Sequence, residues 1–311
     1  MAELLKDPEH VKSQEYFGLD RNWALVGIDD VPDWMISSRY LLGSMRPPLE
    51  SFKLCYSSWF RLHTETGNIW SHFLGFIGFI VLFFVAIFNP LSISILENIL
   101  ICLSVASATL CFAFSFHFHT VRCHSPKIAK HSEKLDYTGI LFYALFGFLP
   151  IIFFSFRCDS TTQSAYMITL CVVSVGILTM SRFKAFGRTE YRPCRAVAFM
   201  SLGLLTIFPT FHAYFKHGID VAFNEEAFSL LCIFFSSGTT GVLIYATEVP
   251  ERFFPGKFDI FFHSHQIFHI FAVGAGAVHF LAIRELQSFH SDPCPVGGWA
   301  SENFTLTNSL P

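Results

Sequence analysis

The chain has 311 residues, of which 52% are hydrophobic and only 14% charged, and its mean hydropathy is +0.46. Soluble domains carry about 25% charged residues, so this composition excludes an ordinary soluble protein. A net charge of −3 offers no basic surface for a nucleic acid.

The opening stretch, MAELLKDPEH, has no apolar core of the signal-peptide kind, so insertion is expected to use an internal segment. Residues 1–50 are polar, with Pro32 and Pro47-Pro48, and are expected to form a loosely ordered segment. Residues 51–63 mix Phe52, Tyr56, Trp59 and Phe60 with Lys53 and Arg61. That mixture suits a short helix lying in the membrane interface, with a plain linker as the alternative.

Seven apolar stretches follow, at about 69–89, 98–119, 137–156, 164–181, 196–215, 227–247 and 260–283, and none contains Lys or Arg. A span needs roughly 20 apolar residues to cross about 30 Å of hydrocarbon. Lipid supplies no hydrogen-bond partners, so each backbone must satisfy itself and all seven are expected to be helices. The fold class is therefore an all-α bundle of seven transmembrane helices over 68–283, followed by a tail at 284–311. Pro150 and Pro209 are expected to kink the third and fifth helices. No internal repeat is visible.

Flanking charge sets the expected orientation. The N-terminal region and the segments 120–136, 182–195 and 248–259 hold 18 Lys and Arg, against 3 in the opposite set. Positive charge stays inside, so the N-terminus is expected in the cytosol and the C-terminus outside or in a lumen. That is the reverse of G-protein-coupled receptors. The basic stretch with Arg182, Lys184, Arg188, Arg192 and Arg195 reads as this inside signal and as a contact for lipid headgroups. Asn303-Phe304-Thr305, a glycosylation sequon, falls in the outer tail. Cys158 and Cys294 also fall outside, where pairing and two free thiols are equally open. Cys102, Cys111, Cys171 and Cys232 lie in apolar segments and read as small packed hydrophobes.

Ionisable residues at membrane depth are costly and mark function. His119 ends the second span, Asp136 precedes the third, and His265 and His269 begin the seventh. The expected orientation puts all four at one depth in the inner leaflet. His265 and His269 are i,i+4 and share a helix face, so they can hold one ion, and a third histidine would complete a His₃ site. Zinc suits such a set and leaves a position for water, which Asp136 would hold or deprotonate. Ser115, one turn before His119, would help polarise a bound carbonyl. Spacing alone does not choose between His119 and His117, about 200° apart on the helix. His263 is likewise off the face of His265, and His279 near the outer end reads as structural. Glu65, Asn68 and His72 open the first span. They read as a capping and packing network, with a shared cavity lining as the alternative.

Several stretches carry a family resemblance: VPDWMISSRYLL with RPPLESF, HTETGNIWSHFLGF, SFHFHTVRCHS, KLDYTGI and PERFFPGKFDIFFHSHQIFHIF. Across roughly residues 31–291 the chain resembles the progestin and adipoQ receptor family of the hemolysin III-related superfamily, and within it an adiponectin-receptor-type member. The resemblance implies a seven-helix bundle with zinc near the inner leaflet. It matches the family's zinc ligands to His119, His265 and His269, its water-holding aspartate to Asp136 and its nearby serine to Ser115. It thereby selects His119 over His117. His117 itself is a departure, since similar receptors usually carry an apolar residue there, and the N-terminal region is shorter than in adiponectin receptors.

Such receptors are linked to fatty-acid oxidation, glucose handling and membrane lipid composition, and some to ceramide hydrolysis. Two readings follow: a lipid-metabolism receptor with zinc-dependent, ceramidase-like amidohydrolase activity, or a non-enzymatic receptor or membrane-fluidity regulator whose zinc clamps helices. A channel or proton relay fits less well, because the polar residues do not trace a path across the membrane. Expected partners are membrane lipids, with ceramide or a fatty acid in the site, and no nucleic acid. A hormone of adiponectin type is a further expectation, although short outer loops leave little surface for it. A homo-oligomer is also expected. The plasma membrane is the first expected location, with Golgi or endoplasmic reticulum as alternatives.

Overall fold

Backbone self-satisfaction dictates the architecture, and all seven apolar runs are helical. The structure, a computed structural model, describes residues 23–290 except 93 and 219–221. A short helix α1 (Phe52–Ser57) precedes seven helices long and apolar enough to cross a membrane. These are α2 (Thr66–Phe88), α3 (Ile95–Val121), α4 (Pro126–Ser155), α5 (Ser160–Ser181), α6 (Arg192–His217), α7 (Glu225–Thr247) and α8 (Ser264–Phe289). The described residues contain no strand.

Four helices start on the residue types that satisfy orphan backbone N–H groups. Ser94 accepts from the Glu97 amide, Ser125 from Ile128, Asp159 from Thr162 and Asn224 from Ala227. Pro150 and Pro209 lie inside α4 and α6, which continue through them. The outside of the bundle is apolar: Leu74, Val172 and Leu281 are exposed, the pattern of a protein solvated by lipid. Phe112, Ile151, Phe154, Leu231 and Ile283 fill the interior. The closest pairs are α3 with α4, α7 with α8, and α2 with α3, while α8 also packs on α2, α3 and α4.

Two boundaries depart from the apolar runs, for different reasons. Helix α4 starts at Pro126, well before 137, because the Ser125 cap begins an amphipathic extension bearing Lys127, Lys130, Glu133 and Lys134. Hydropathy detects the part of a helix in lipid and is blind to its polar end. Helix α8 starts at Ser264 instead of 260. Phe262 has a left-handed φ of 65°, which a helix cannot contain, and its amide is held by the Gln266 side chain at 2.8 Å.

Residues 23–50 are packed, contrary to the expectation of a loose segment. Val31, Met35, Leu41, Met45 and Leu49 are buried with Cys55, Val121 and Cys123. Val31 and Met35, and Leu41, Met45 and Leu49, are four apart, a helix-like spacing, yet only three-residue helical turns form here, so it is tertiary contact that reveals them as a core. Arg46 donates from this segment to the carbonyls of His119 (2.6 Å) and Thr120 (2.9 Å) at the end of α3. The Asp259 carboxylate, just before α8, accepts from the amides of Leu42 and Gly43 at 3.0 and 2.7 Å. The segment thus closes over the end of the bundle where α3 finishes and α8 begins. Cys158 is disulfide-bonded; Cys294 and the Asn303 sequon lie outside the described residues. Of the cysteines in apolar segments, Cys111 is buried, whereas Cys171 and Cys232 are exposed on the outer surface.

Gly139 sets the spacing of α3 and α4. A Cβ there would stand 2.8 Å from the Cys111 Cα, a backbone atom that cannot turn aside. Gly139→Val is therefore expected to destabilise the protein by about 2–3 kcal/mol through overpacking. A thermal melt in detergent measures this, and an unchanged midpoint would show that the helices separate without cost.

Candidate metal centre

The last turn of α3 and the first two turns of α8 meet at the end of the bundle covered by the N-terminal segment. His119 comes from α3, and His265 and His269 from α8. One ring nitrogen from each lies within 4.8 Å of the others, an arrangement that can hold a metal ion. His119 and His269 are each 1% exposed and His265 is half-buried. The three rings meet with centroids 4.7–5.0 Å apart.

Hydrogen bonds decide which nitrogens face the cluster. His119 Nδ1 lies 2.7 Å from Glu65 Oε2. His269 Nδ1 is 3.2 Å from the Asn68 carbonyl oxygen and 3.3 Å from Ser71 Oγ. His119 Nε2 is buried without a hydrogen-bond partner. A buried imidazole nitrogen left unpaired costs free energy unless a ligand meets it, so the site fits a metal on its own geometry. An all-imidazole set suits zinc, copper, iron or nickel better than magnesium or calcium.

The remaining predicted residues divide. Ser115 and His119 are i,i+4 on α3, about 6 Å apart along the axis. Ser115 lies close enough to the buried Asp136 carboxyl of α4 to interact with it electrostatically. The close approach at Gly139 makes this possible, since Cys111 is one turn before Ser115 and Gly139 one turn after Asp136. His117 points away, with Nδ1 2.8 Å from the Tyr56 hydroxyl of α1. His263 Nε2 meets the Thr64 carbonyl oxygen at 3.1 Å. His279 Nδ1 meets the Tyr143 hydroxyl at 3.2 Å, further along α8 than the three-histidine cluster.

Glu65 stands immediately before α2. Burial pushes its carboxyl up, but Arg122 at 2.6 Å and the hydrogen bond with His119 outweigh burial and hold it well below the ordinary carboxylate range. Asn68 Nδ2 donates to the same Oε2 at 2.7 Å. His72 stacks on His269 with ring centroids 3.5 Å apart. The network expected for Glu65, Asn68 and His72 thus has the histidine cluster as its neighbour.

Sequence reasoning missed three supports. Arg122 pairs with Glu65 and donates to the Met35 carbonyl at 2.8 Å. Glu251 caps α8, accepting from the Ser264 amide at 2.7 Å and from its hydroxyl. Gln266 ties the approach to α8 by donating to the Ile260 carbonyl at 2.7 Å. Each acts across a separation that no local spacing rule covers, although a charged residue beside an apolar run is a signal for the first two.

Seven spanning helices and a buried three-histidine cluster at one end of the bundle define a polytopic helical membrane protein with a candidate metal centre. The chain belongs to the Haemolysin-III related family, whose model matches residues 60–280, and it is similar to progestin and adipoQ receptor family members and to an adiponectin receptor. It is 36% identical over 279 residues to progestin and adipoQ receptor-like protein 1 of Caenorhabditis elegans, covering 89% of this chain and 64% of that protein. It is 36% identical over 271 residues to the adiponectin receptor protein of Drosophila melanogaster, covering 87% of this chain and 61% of the relative. It is 28% identical over 302 residues to human progestin and adipoQ receptor family member 3, covering 94% and 97%. The chain therefore spans somewhat under two thirds of the length of the first two relatives.

Proposed function

We propose that this protein is an adiponectin-receptor-like regulator of lipid and energy metabolism whose three-histidine site holds zinc at the cytosolic leaflet and hydrolyses a ceramide-type amide. The carrying observation is the convergence of His119, His265 and His269, with one ring nitrogen of each within 4.8 Å of the others; Ser115, one turn before His119 on α3, and Asp136 are the buried polar residues this reading assigns beside them. The cytosolic placement rests on the charge asymmetry of the flanking segments.

Zinc, when bound, supplies a Lewis acid for the carbonyl and brings the pKa of a water towards about 7. Asp136 orients the attacking water and accepts its proton as the C–O bond forms. Ser115 donates a hydrogen bond where negative charge develops on the carbonyl oxygen. Asp136 then returns the proton to the departing nitrogen as the C–N bond breaks, releasing a sphingoid amine and a fatty acid. The acyl chain lies between helices and enters from the lipid, the membrane partner this reading names. A protein hormone of adiponectin type is the partner suggested by the insect relative's name. The plasma membrane is the location that fits such a partner.

A second reading, zinc as a clamp without turnover, is favoured by one fact: the ligands come from two helices, α3 and α8, that an ion would tie together. Purified wild type and Asp136→Asn, assayed on ceramide with bound zinc quantified, separate the two. Hydrolysis is expected to fall about 10²–10⁴-fold in Asp136→Asn while zinc is retained. Zinc-loaded wild type that releases no fatty acid would leave the clamp as the function.

A further inference from the structure

A histidine can ligate a metal only through a deprotonated nitrogen, so something must decide which nitrogen carries the proton. In many metal centres that decision is made by a carboxylate or carbonyl behind the ligand. Here the residues behind two of the three histidines come from one stretch, Glu65 to Ser71, at the start of α2. The Asn68 carbonyl takes His269 Nδ1, and the Glu65 carboxylate takes His119 Nδ1. In both rings Nδ1 is occupied from behind, which leaves Nε2 for the cluster.

The Glu65 carboxylate is itself held by two further donors. Asn68 Nδ2 donates to Oε2 at 2.7 Å and Arg122 Nη1 donates to Oε1 at 2.6 Å. Arg122 is anchored in turn by the Met35 carbonyl of the N-terminal segment at 2.8 Å. Glu65 is 8% exposed and Arg122 8% exposed, so little water competes for these bonds. An ion pair needed only to join α2 to the end of α3 would be complete with Arg122 alone. The second oxygen, aimed at a buried imidazole whose other nitrogen has no partner, serves a further purpose.

We propose that Glu65 is a positioning residue of the metal centre, its carboxylate holding His119 as the Nδ1–H tautomer with Nε2 directed at the ion. This rests on the reading of the three histidines as metal ligands. Asn68 and Arg122 hold the carboxylate in place, and α2, which contributes no ligand, becomes the outer shell of the site.

The test is zinc affinity of the purified full chain, measured by competition with a chromogenic chelator. Glu65→Gln keeps the side-chain shape but loses the charge, and is expected to bind zinc about 10–100-fold more weakly. Arg122→Gln removes the ion pair while leaving the carboxylate on His119, and its affinity is expected to stay closer to wild type. Equal affinity of Glu65→Gln and wild type would overturn the role, leaving a structural ion pair. Should Glu65→Gln fail to fold, histidine ¹⁵N shifts of metal-stripped wild type decide: a proton on His119 Nδ1 supports the role, and one on Nε2 overturns it. Wild type that binds no zinc in a His119-dependent way would remove the metal reading and the role of Glu65 together, a result distinct from equal affinities.

Discussion

His265→Ala is expected to lower bound zinc from about one ion per chain to a small fraction of that, because two imidazoles do not make the three-ligand site zinc requires. The loss should exceed the about 10–100-fold in affinity that a change behind a ligand produces. His265 is only half-buried, so its truncation leaves a small cavity and the apoprotein should still fold. Stability should fall for another reason. An ion that binds only the folded state contributes about 4 kcal/mol at a thousandfold excess over its dissociation constant, and that contribution disappears. Metal analysis and thermal melts on the same samples, with and without added zinc, check both parts. Added zinc should raise the wild-type midpoint and leave that of His265→Ala unmoved. Wild-type zinc content in the variant would show that the ion, if present, is held elsewhere. Ceramide turnover should fall to background in the same variant if the site is catalytic.

Arg46→Ala should be the most damaging change outside the ligands. Arg46 is 3% exposed and donates to the His119 and Thr120 carbonyls and to Ser58 Oγ, at 2.6, 2.9 and 2.8 Å. The last carbonyls of a helix have no partner of their own and form the negative end of its dipole. A buried guanidinium there supplies both hydrogen bonds and charge. Truncation leaves these acceptors unpaired in a closed environment and also vacates the volume of a long side chain. The expected loss is about 3–5 kcal/mol, read as a lower melting midpoint. Arg46→Lys should recover only part of it, since one ammonium lacks the planar fork that reaches two carbonyls. Because one of those carbonyls belongs to His119, Arg46→Ala should also weaken zinc binding. An unchanged midpoint would mean that water enters and replaces the guanidinium.

The bundle and two of the three clustered histidines were readable from the chain for physical reasons that apply residue by residue. A solvent without hydrogen-bond partners forces long apolar runs into helices, so seven runs meant seven helices. The i,i+4 spacing of His265 and His269 put two histidines on one face before any fold was known. The third histidine of the cluster was not local in this sense. His117 and His119 lie on the same helix, and spacing gave no reason to choose; the resemblance chose His119, and in the structure it is His119 that meets His265 and His269 while His117 turns to Tyr56. The ordered N-terminal segment escaped sequence reading because the i,i+4 spacing of Val31 with Met35 and of Leu41 with Met45 is too short and too interrupted to mark a long helix, and their burial comes from tertiary contact with residues such as Cys55, Val121 and Cys123.

The sequence by itself determined the class of protein: a membrane bundle of seven helices, with three histidines, an aspartate and a serine at the ends of particular spans. Tertiary structure alone decided what stands behind those residues. Glu65 and His119 are 54 residues apart in the chain, and Arg46 and His119 are 73 apart. Such pairs form when separate helices pack at a fixed distance, as Gly139 fixes α4 against Cys111. Periodicity and hydropathy report on neighbours along one helix. The groups behind the clustered histidines come from other parts of the chain, and only packing brings them within hydrogen-bonding reach.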